Sequence, residues 1–394
     1  MPAAAGRGET SANGGRTFPP FAPEFHRRKK RQAGRPRPAN AASSGKAADV
    51  KSVMFPSAAV TWHSRHPMSA NRPSRRTLLA GTLGAFAMTG CATSLGSTRS
   101  GTVPRTEGIE QPELLVGALP IVGAAPLHLA AQEGLFQQAG LNVRLQQVAS
   151  GAFAVPELLS GKLDITFSNY PSLIQNFAGG GPARIIAEGS RAAPDNFAVV
   201  AESDSGLNEA ADLAGKTVGV NAFDNVATLT TNAQLQTAGI RPDQVRYVQR
   251  GFPKMTDALL SGDVDAAFLP EPFLSAAEVQ HGVKRLVDPT AGAAAQIPID
   301  GYGALAPLIE KCPNTLRAFR SALREAQRRC QNPSTLRTVL QRDLKIDERI
   351  SAVLSPSRYP LSTDVTSLQR VATLMELFGN LQAPLDIGPM VIAA

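Results

Sequence analysis

A ten-residue segment occurs twice in this chain, and that repeat constrains the fold more than any other feature. Leu158-Leu159-Ser160-Gly161-Lys162-Leu163-Asp164-Ile165-Thr166-Phe167 returns as Leu259-Leu260-Ser261-Gly262-Asp263-Val264-Asp265-Ala266-Ala267-Phe268, with six identical positions at an offset of 101. Upstream, Ala139-Gly140-Leu141 matches Ala238-Gly239-Ile240 at an offset of 99. Gly151 and Gly251 each precede the helix that leads into the repeated segment. Solenoid units run ~20–50 residues, so an offset near 100 is too long for one. It implies two lobes of similar topology.

Each unit has the same order of elements. A strand (Leu114–Leu119; Thr217–Asn221) leads into a helix (Ala125–Gln138; Val226–Thr237) that ends at glycine. A second strand follows (Asn142–Val148; Gln244–Val248), then a helix ending at Ser-Gly, then a short strand after Asp164 or Asp265. Strands alternating with helices predict an α/β fold with parallel sheets and right-handed crossovers. Two apolar, Gly-flanked segments, Asn196–Ala201 and Tyr302–Leu305, are the candidate hinge strands. Lobe 1 is then 112–195 plus a helical 306–394, and lobe 2 is 196–305. Gly179-Gly180-Gly181 follows a helix and precedes a strand, the reverse of the order in a phosphate-cradling loop. A helix from Cys312-Pro313 would carry Leu316, Phe319, Leu323 and Ala326 on one face. It would set Cys312 and Cys330 roughly 27 Å apart, too far for a disulfide.

The net charge of +8 and pI near 9.7 suggest a nucleic-acid partner, but the distribution argues against one. Residues 1–91 hold 15 of the 40 basic residues and 3 of the 32 acidic ones. The remaining 92–394 therefore carry 25 basic against 29 acidic groups and are mildly acidic. Residues 1–67, rich in Ala, Gly, Pro, Ser and Arg, lack the apolar periodicity needed to offset ordering entropy, and are expected to be a disordered extension. Ser74-Arg75-Arg76-Thr77-Leu78-Leu79 and the apolar run after it have the form of a twin-arginine signal peptide, spanning 68–91. The run covers about 13 residues, where a bilayer-spanning helix takes ~20. Thr89-Gly90-Cys91 resembles a bacterial lipobox, with Met88 where leucine is usual. Cys91 is then the lipidated residue, Met68 the expected start, and 92–111 a flexible tether.

In open α/β sheets a ligand sits beyond the carboxyl ends of the strands, beside helix N-termini that carry unpaired N–H groups. The candidates there are Pro120 and Ile121; Ser168, Asn169 and Tyr170; Asn221, Asp224 and Asn225; and Glu271, between Pro270 and Pro272. Glu271 would accept hydrogen bonds from an amine, or else be a loop acid beside a helix start. Ser168 and Asn169 would donate to a ligand or simply cap a helix; Asn221, Asp224 and Asn225 would meet the ligand, Asp224 as an acceptor for a polar or amine end, or likewise serve only as caps. Tyr170 would stack on a planar ligand or line the cleft, and Arg191 would pair with an anion or stay solvated. No His/Cys/acid cluster has metal-ligand spacing, and no Gly-x-Ser-x-Gly elbow occurs. Neither a metal nor a cofactor is expected.

The chain resembles the substrate-binding proteins of ABC importers in the nitrate/sulfonate/taurine and thiamine-precursor-like family. The resemblance rests on Ala124-Ala125-Pro126-Leu127-His128-Leu129-Ala130 through Glu133-Gly134-Leu135-Phe136 and Ala139-Gly140-Leu141. The repeated Leu-Leu-Ser-Gly segments, Asp212-Leu213-Ala214-Gly215-Lys216-Thr217-Val218-Gly219-Val220 and Glu271-Pro272-Phe273 also carry it. It implies a two-lobed periplasmic-binding-protein fold with a ligand cleft between the lobes. It further implies capture of a small-molecule solute by cleft closure and delivery to ABC permease and ATPase subunits. With the lipid anchor, the protein would be a membrane-attached monomer outside the cytoplasm, with no nucleic-acid partner. The alternatives are an enzyme of thiamine-precursor or menaquinone-pathway type on the same fold, or a ligand-sensing domain.

Overall fold

The computed structural model describes residues 108–392. Cys91, the signal peptide, the extension and most of the expected tether lie outside the described residues. Four strands open the chain: β1 (Glu113–Ala118), β2 (Asn142–Gln147), β3 (Ile165–Asn169) and β4 (Ala183–Arg191). Five more follow: β5 (Phe197–Ala201), β6 (Thr217–Val220), β7 (Arg246–Gln249), β8 (Ala266–Pro270) and β9 (Lys284–Val287). The last, β10 (Pro298–Leu305), returns to the first lobe. Helices α1 (Ala125–Gln132), α2 (Leu135–Gln138), α3 (Gly151–Leu159) and α4 (Tyr170–Ala178) connect the first strands. In the second lobe the equivalents are α5 (Val226–Thr237), α6 (Met255–Leu260) and α7 (Phe273–His281). A C-terminal set completes lobe 1: α8 (Ala306–Lys311), α9 (Pro313–Cys330), α10 (Pro333–Arg342), α11 (Glu348–Val353) and α12 (Val365–Leu377).

The two sheets have matching strand orders, β2-β1-β3-β10-β4 and β7-β6-β8-β5-β9. The repeated residues do the same work in each. Asp164 Oδ2 accepts from Leu115 N at 2.7 Å, and Asp265 Oδ2 accepts from Thr217 N at 2.8 Å. Each aspartate thus pins the third strand to the first. Leu158 and Leu259 are buried while Leu159 and Leu260 are exposed. Gly161 and Gly262 have φ of 74° and 75°, the left-handed conformation that ends the preceding helix and that side chains resist.

Three expectations change. The sheets are mixed, not wholly parallel, because β10 and β5 run antiparallel to their neighbours. β4 and β5 lie in different sheets, as do β9 and β10, so each of these connections passes between the lobes instead of returning over its own sheet. The candidate hinge strands are therefore sheet strands, and the crossings fall at 192–196 and 288–297. Lobe 2 ends near 297 and β10 belongs to lobe 1. The helix expected over Ala125–Gln138 breaks at Gly134, whose φ is 71°.

The apolar face of α9 is buried as its spacing predicts, with Phe319 stacked on Phe136 at 5.1 Å. Cys312 and Cys330, at opposite ends of α9, are buried and free. The tether ends earlier than expected. Glu110 accepts hydrogen bonds from Thr315 N at 2.8 Å and Asn314 N at 3.1 Å, closing the start of α9. Desolvation raises its pKa, but these bonds win and hold the carboxyl at about 2.

Candidate functional site

The strand ends of the two lobes face one another across two adjoining cavities. The inner one, about 40 Å³, is lined by Ile121, Gly151, Asn169, Ile299 and Asp300 from lobe 1. Lobe 2 contributes Asn221, Asn225, Val226, Ala227, Phe252, Phe268 and Pro270, among others. The outer one, about 230 Å³, shares Leu119, Ile121 and Phe252 and extends past Pro120, Gln147, Pro253 and Lys254. Gly151 begins α3 and Val226 begins α5, so two helix N-termini from opposite lobes border the inner cavity. Ser150 and Asn225 each cap one N–H of these starts, and the remaining N–H groups with the partial positive charge favour an anionic ligand group.

Asp300 is the single titratable side chain lining the inner cavity. It sits opposite Asn169 on β3, and the β10–β4 register shifts on both sides of it. Such a bulge re-aims a side chain out of the regular alternation. The carboxylate accepts from Ser190 Oγ at 3.2 Å. Burial pushes its pKa up to about 7, with the Ser190 bond pulling weakly the other way. No basic side chain lines this cavity, so the carboxylate is an acceptor for an amine, amidine or ring N–H. Sequence reasoning missed Asp300. Its one signal is an acid inside the apolar run Pro298-Ile299-Asp300-Gly301-Tyr302, just ahead of the candidate hinge strand Tyr302–Leu305.

The predicted residues divide into three groups. Pro120, Ile121, Asn169, Asn221 and Asn225 line the cavities. Three of these also serve the fold. Asn169 Oδ1 accepts from Ser172 N and Oγ, both at 3.0 Å, and so caps α4. Asn225 Oδ1 caps α5 through Ala227 N, while its Nδ2 donates to Asn221 Oδ1 at 3.0 Å.

Ser168 and Tyr170 form the second group and turn into the protein. Ser168 Oγ donates to Gly151 O at 2.7 Å, holding the start of α3 against β3. Tyr170 is fully buried in the core under Gly301, so it presents no face for stacking. Burial, then Glu188 and Asp300, pushes its phenol pKa up.

Glu271 and Asp224 form the third group and join the lobes. Glu271 is 3% exposed and borders neither cavity. Its carboxylate accepts from Ser275 Oγ (2.7 Å), Ser275 N (3.1 Å) and Ser355 N (3.1 Å). Its carbonyl accepts from Val122 N at 3.3 Å. Asp224, at φ 52°, is exposed; its carbonyl accepts from Gln175 Nε2 at 2.8 Å and its Oδ1 from Asn380 Nδ2 at 3.0 Å. Gln175 and Asn380 belong to lobe 1, so Asp224 latches the rim. Asn380→Ala removes one such bond, which at about 0.5–1 kcal/mol should speed solute release roughly two- to fivefold in a stopped-flow displacement measurement. An unchanged release rate would dismiss the latch. Arg191 is no anion receptor: it forms a two-pronged pair with Glu188 at 2.5 and 3.0 Å.

Among the described residues no group of three His, Cys, Asp or Glu is placed to hold a metal, and no helix is long and apolar enough to cross a membrane. The fold recurs widely. The alkanesulfonate-binding protein SsuA from Xanthomonas axonopodis pv. citri superposes with a TM-score of 0.63 at 16% identity, over 72% of this chain and 99% of the other. The periplasmic nitrate-binding protein NrtA from Synechocystis PCC 6803 gives 0.61 at 16%, over 71% and 85%. The desulfurization enzyme DSZB gives 0.55 at 16%, over 72% and 97%. These likenesses establish a two-lobed periplasmic-binding-protein fold. In sequence, a Brucella abortus (strain 2308) protein named as a binding protein is 24% identical over 67% of this chain and 85% of its own length. The NMT1/THI5-like family model matches residues 122–335, more than half of the sequence, and the chain belongs to that family.

Proposed function

We propose that this protein is the extracytoplasmic solute-binding component of an ABC importer, closing its two lobes on a small solute and presenting it to a permease. The observation that carries this is the cavity between the duplicated lobes, bordered by helix N-termini from both and latched at its rim by Asp224. Closure follows when the bound solute's contacts favour the closed state over the open one. The names of the fold neighbours, sulfonate- and nitrate-binding proteins, support a small-solute role. The twin-arginine segment and Cys91 support export and lipid anchoring on the outer side of the membrane.

The inner cavity narrows the solute. An anionic end would rest at the starts of α3 and α5, and an amine or ring N–H end would meet Asp300. The amine-holding role assigned to Glu271 in the sequence thus moves to Asp300. An enzyme such as the DSZB neighbour is the competing class. The inner lining offers amides and one carboxylate but no pairing of nucleophile and base, which favours binding over turnover.

A thermal-shift screen decides between these. Amino-sulfonates, amine-bearing pyrimidines, plain alkanesulfonates and nitrate would be compared at equal concentration. A true solute at 100 times its Kd adds ~2.7 kcal/mol. We expect the amine-bearing compounds to shift the transition and the plain anions not to. Turnover of any compound would favour the enzyme.

A further inference from the structure

A cavity larger than either of those in the cleft lies elsewhere on the protein. It measures about 490 Å³ and lies on lobe 1, between α10 and the segment 354–360. That volume is within the ~300–1,000 Å³ of small-molecule sites. Its floor is apolar, built from Leu336, Leu340 and Leu354. Three arginines line it and no acid does, the inverse of the inner cleft cavity. Arg191 is occupied by Glu188. Arg337 is exposed and makes no ion pair among the described residues, and Arg358 spends one N–H on Gln296 Oε1 at 3.3 Å.

The cavity wall is held from several sides. Arg191 and Arg358 exchange backbone hydrogen bonds of 2.9 and 3.2 Å. Tyr359 Oη donates to Val122 O at 2.7 Å, and Asn196 Nδ2 donates to Ser357 Oγ at 3.3 Å. A wall fixed in this way costs a ligand little ordering entropy.

We propose that this cavity is a second binding site, which takes one small amphiphilic organic anion. The apolar body lies over Leu336, Leu340 and Leu354, and a carboxylate or sulfonate head is held by Arg337 and Arg358. Guanidinium groups suit such heads because their N–H donors match two acceptor oxygens. The site does not depend on the solute assigned to the cleft.

Calorimetric titration of the full chain with decanoate tests it, with 1-decanol as the uncharged probe. Decanoate should bind one-to-one and more tightly than decanol. Arg337→Glu should weaken decanoate about tenfold or more while leaving decanol unchanged, the loss of one charge-assisted contact. Ala352→Trp, an exposed position on the rim, should block both probes. Asp300→Asn, in the cleft, should change neither. The proposal is overturned by absence of saturable decanoate binding, by indifference to both Arg337→Glu and Ala352→Trp, or by sensitivity to Asp300→Asn in their place.

Discussion

Asp300→Asn should make the ligand-free protein more stable above neutral pH while stripping the cleft of its affinity for amine-bearing solutes. The carboxyl titrates at about 7 in the folded chain against an ordinary value of 3.8. Holding the buried carboxyl protonated up to about 7 corresponds to on the order of 4 kcal/mol at most. The acid's folded pKa is raised, so between pH ~4 and ~7 the native state holds a proton that the unfolded chain has lost. Stability therefore falls as pH rises through that window and stays lowered above it. Asparagine keeps the shape and removes the charge.

At roughly 2–4 °C per kcal/mol, the variant should melt several degrees above wild type at pH 8, and the difference should vanish near pH 4. Binding should move the other way. A buried charge pair broken on one side costs ~3–5 kcal/mol, so affinity for an amine-bearing solute should drop by about 100-fold or more. For wild type, binding should tighten from pH 5 to 8 as Asp300 ionises. Scanning calorimetry and titration at three pH values check both halves. A variant that melts lower at pH 8, or binds as wild type does, removes Asp300 from the site. A group that costs stability and supplies recognition is a familiar trade at binding sites.

How much of this was legible beforehand depended on which residues repeat. The duplicated Leu-Leu-Ser-Gly-x-x-Asp segment gave two lobes because core, cap and strand-pinning residues recur under the same local constraints. Periodicity placed the buried face of α9 for the same reason. Local signals failed where the chain passes between lobes. Nothing in Phe197–Ala201 or Pro298–Leu305 states which sheet they join, since that is settled by long-range pairing. The cap-type asparagines Asn169, Asn221 and Asn225 line the inner cavity because helix starts at strand ends follow from the α/β order. Local signals do not rank Glu271 against Asp300. One was conspicuous between prolines and the other hidden in an apolar strand, and the direction of each side chain depends on contacts more than 80 residues away in sequence, such as Glu271 with Ser355.

Glu271→Ala should show the opposite signature from Asp300→Asn, a loss of stability with little loss of affinity. The carboxylate satisfies Ser275 N at the first turn of α7, the Ser275 hydroxyl and Ser355 N in the C-terminal part of lobe 1. Desolvation raises its pKa even though all three bonds pull it down, so the group is held at some cost. Truncation strands Ser275, which is 2% exposed, and frees the segment at Ser355. Hydrogen bonds to charged groups are each worth ~1.5–3 kcal/mol net, and the three are not additive, so a loss of about 3 kcal/mol is expected. The melting temperature should fall by roughly 6–12 °C. Solute affinity should change by less than about fivefold, since only the cross-lobe bond to Ser355 bears on closure. Glu271→Gln keeps one acceptor oxygen for Ser355 N and Ser275 Oγ but sets its amide N–H2 against Ser275 N, and should recover part of the lost stability. Were Glu271→Ala to melt like wild type and lose the solute, the amine-holding role would return to Glu271, and Asp300 would be a buried acid of the hinge.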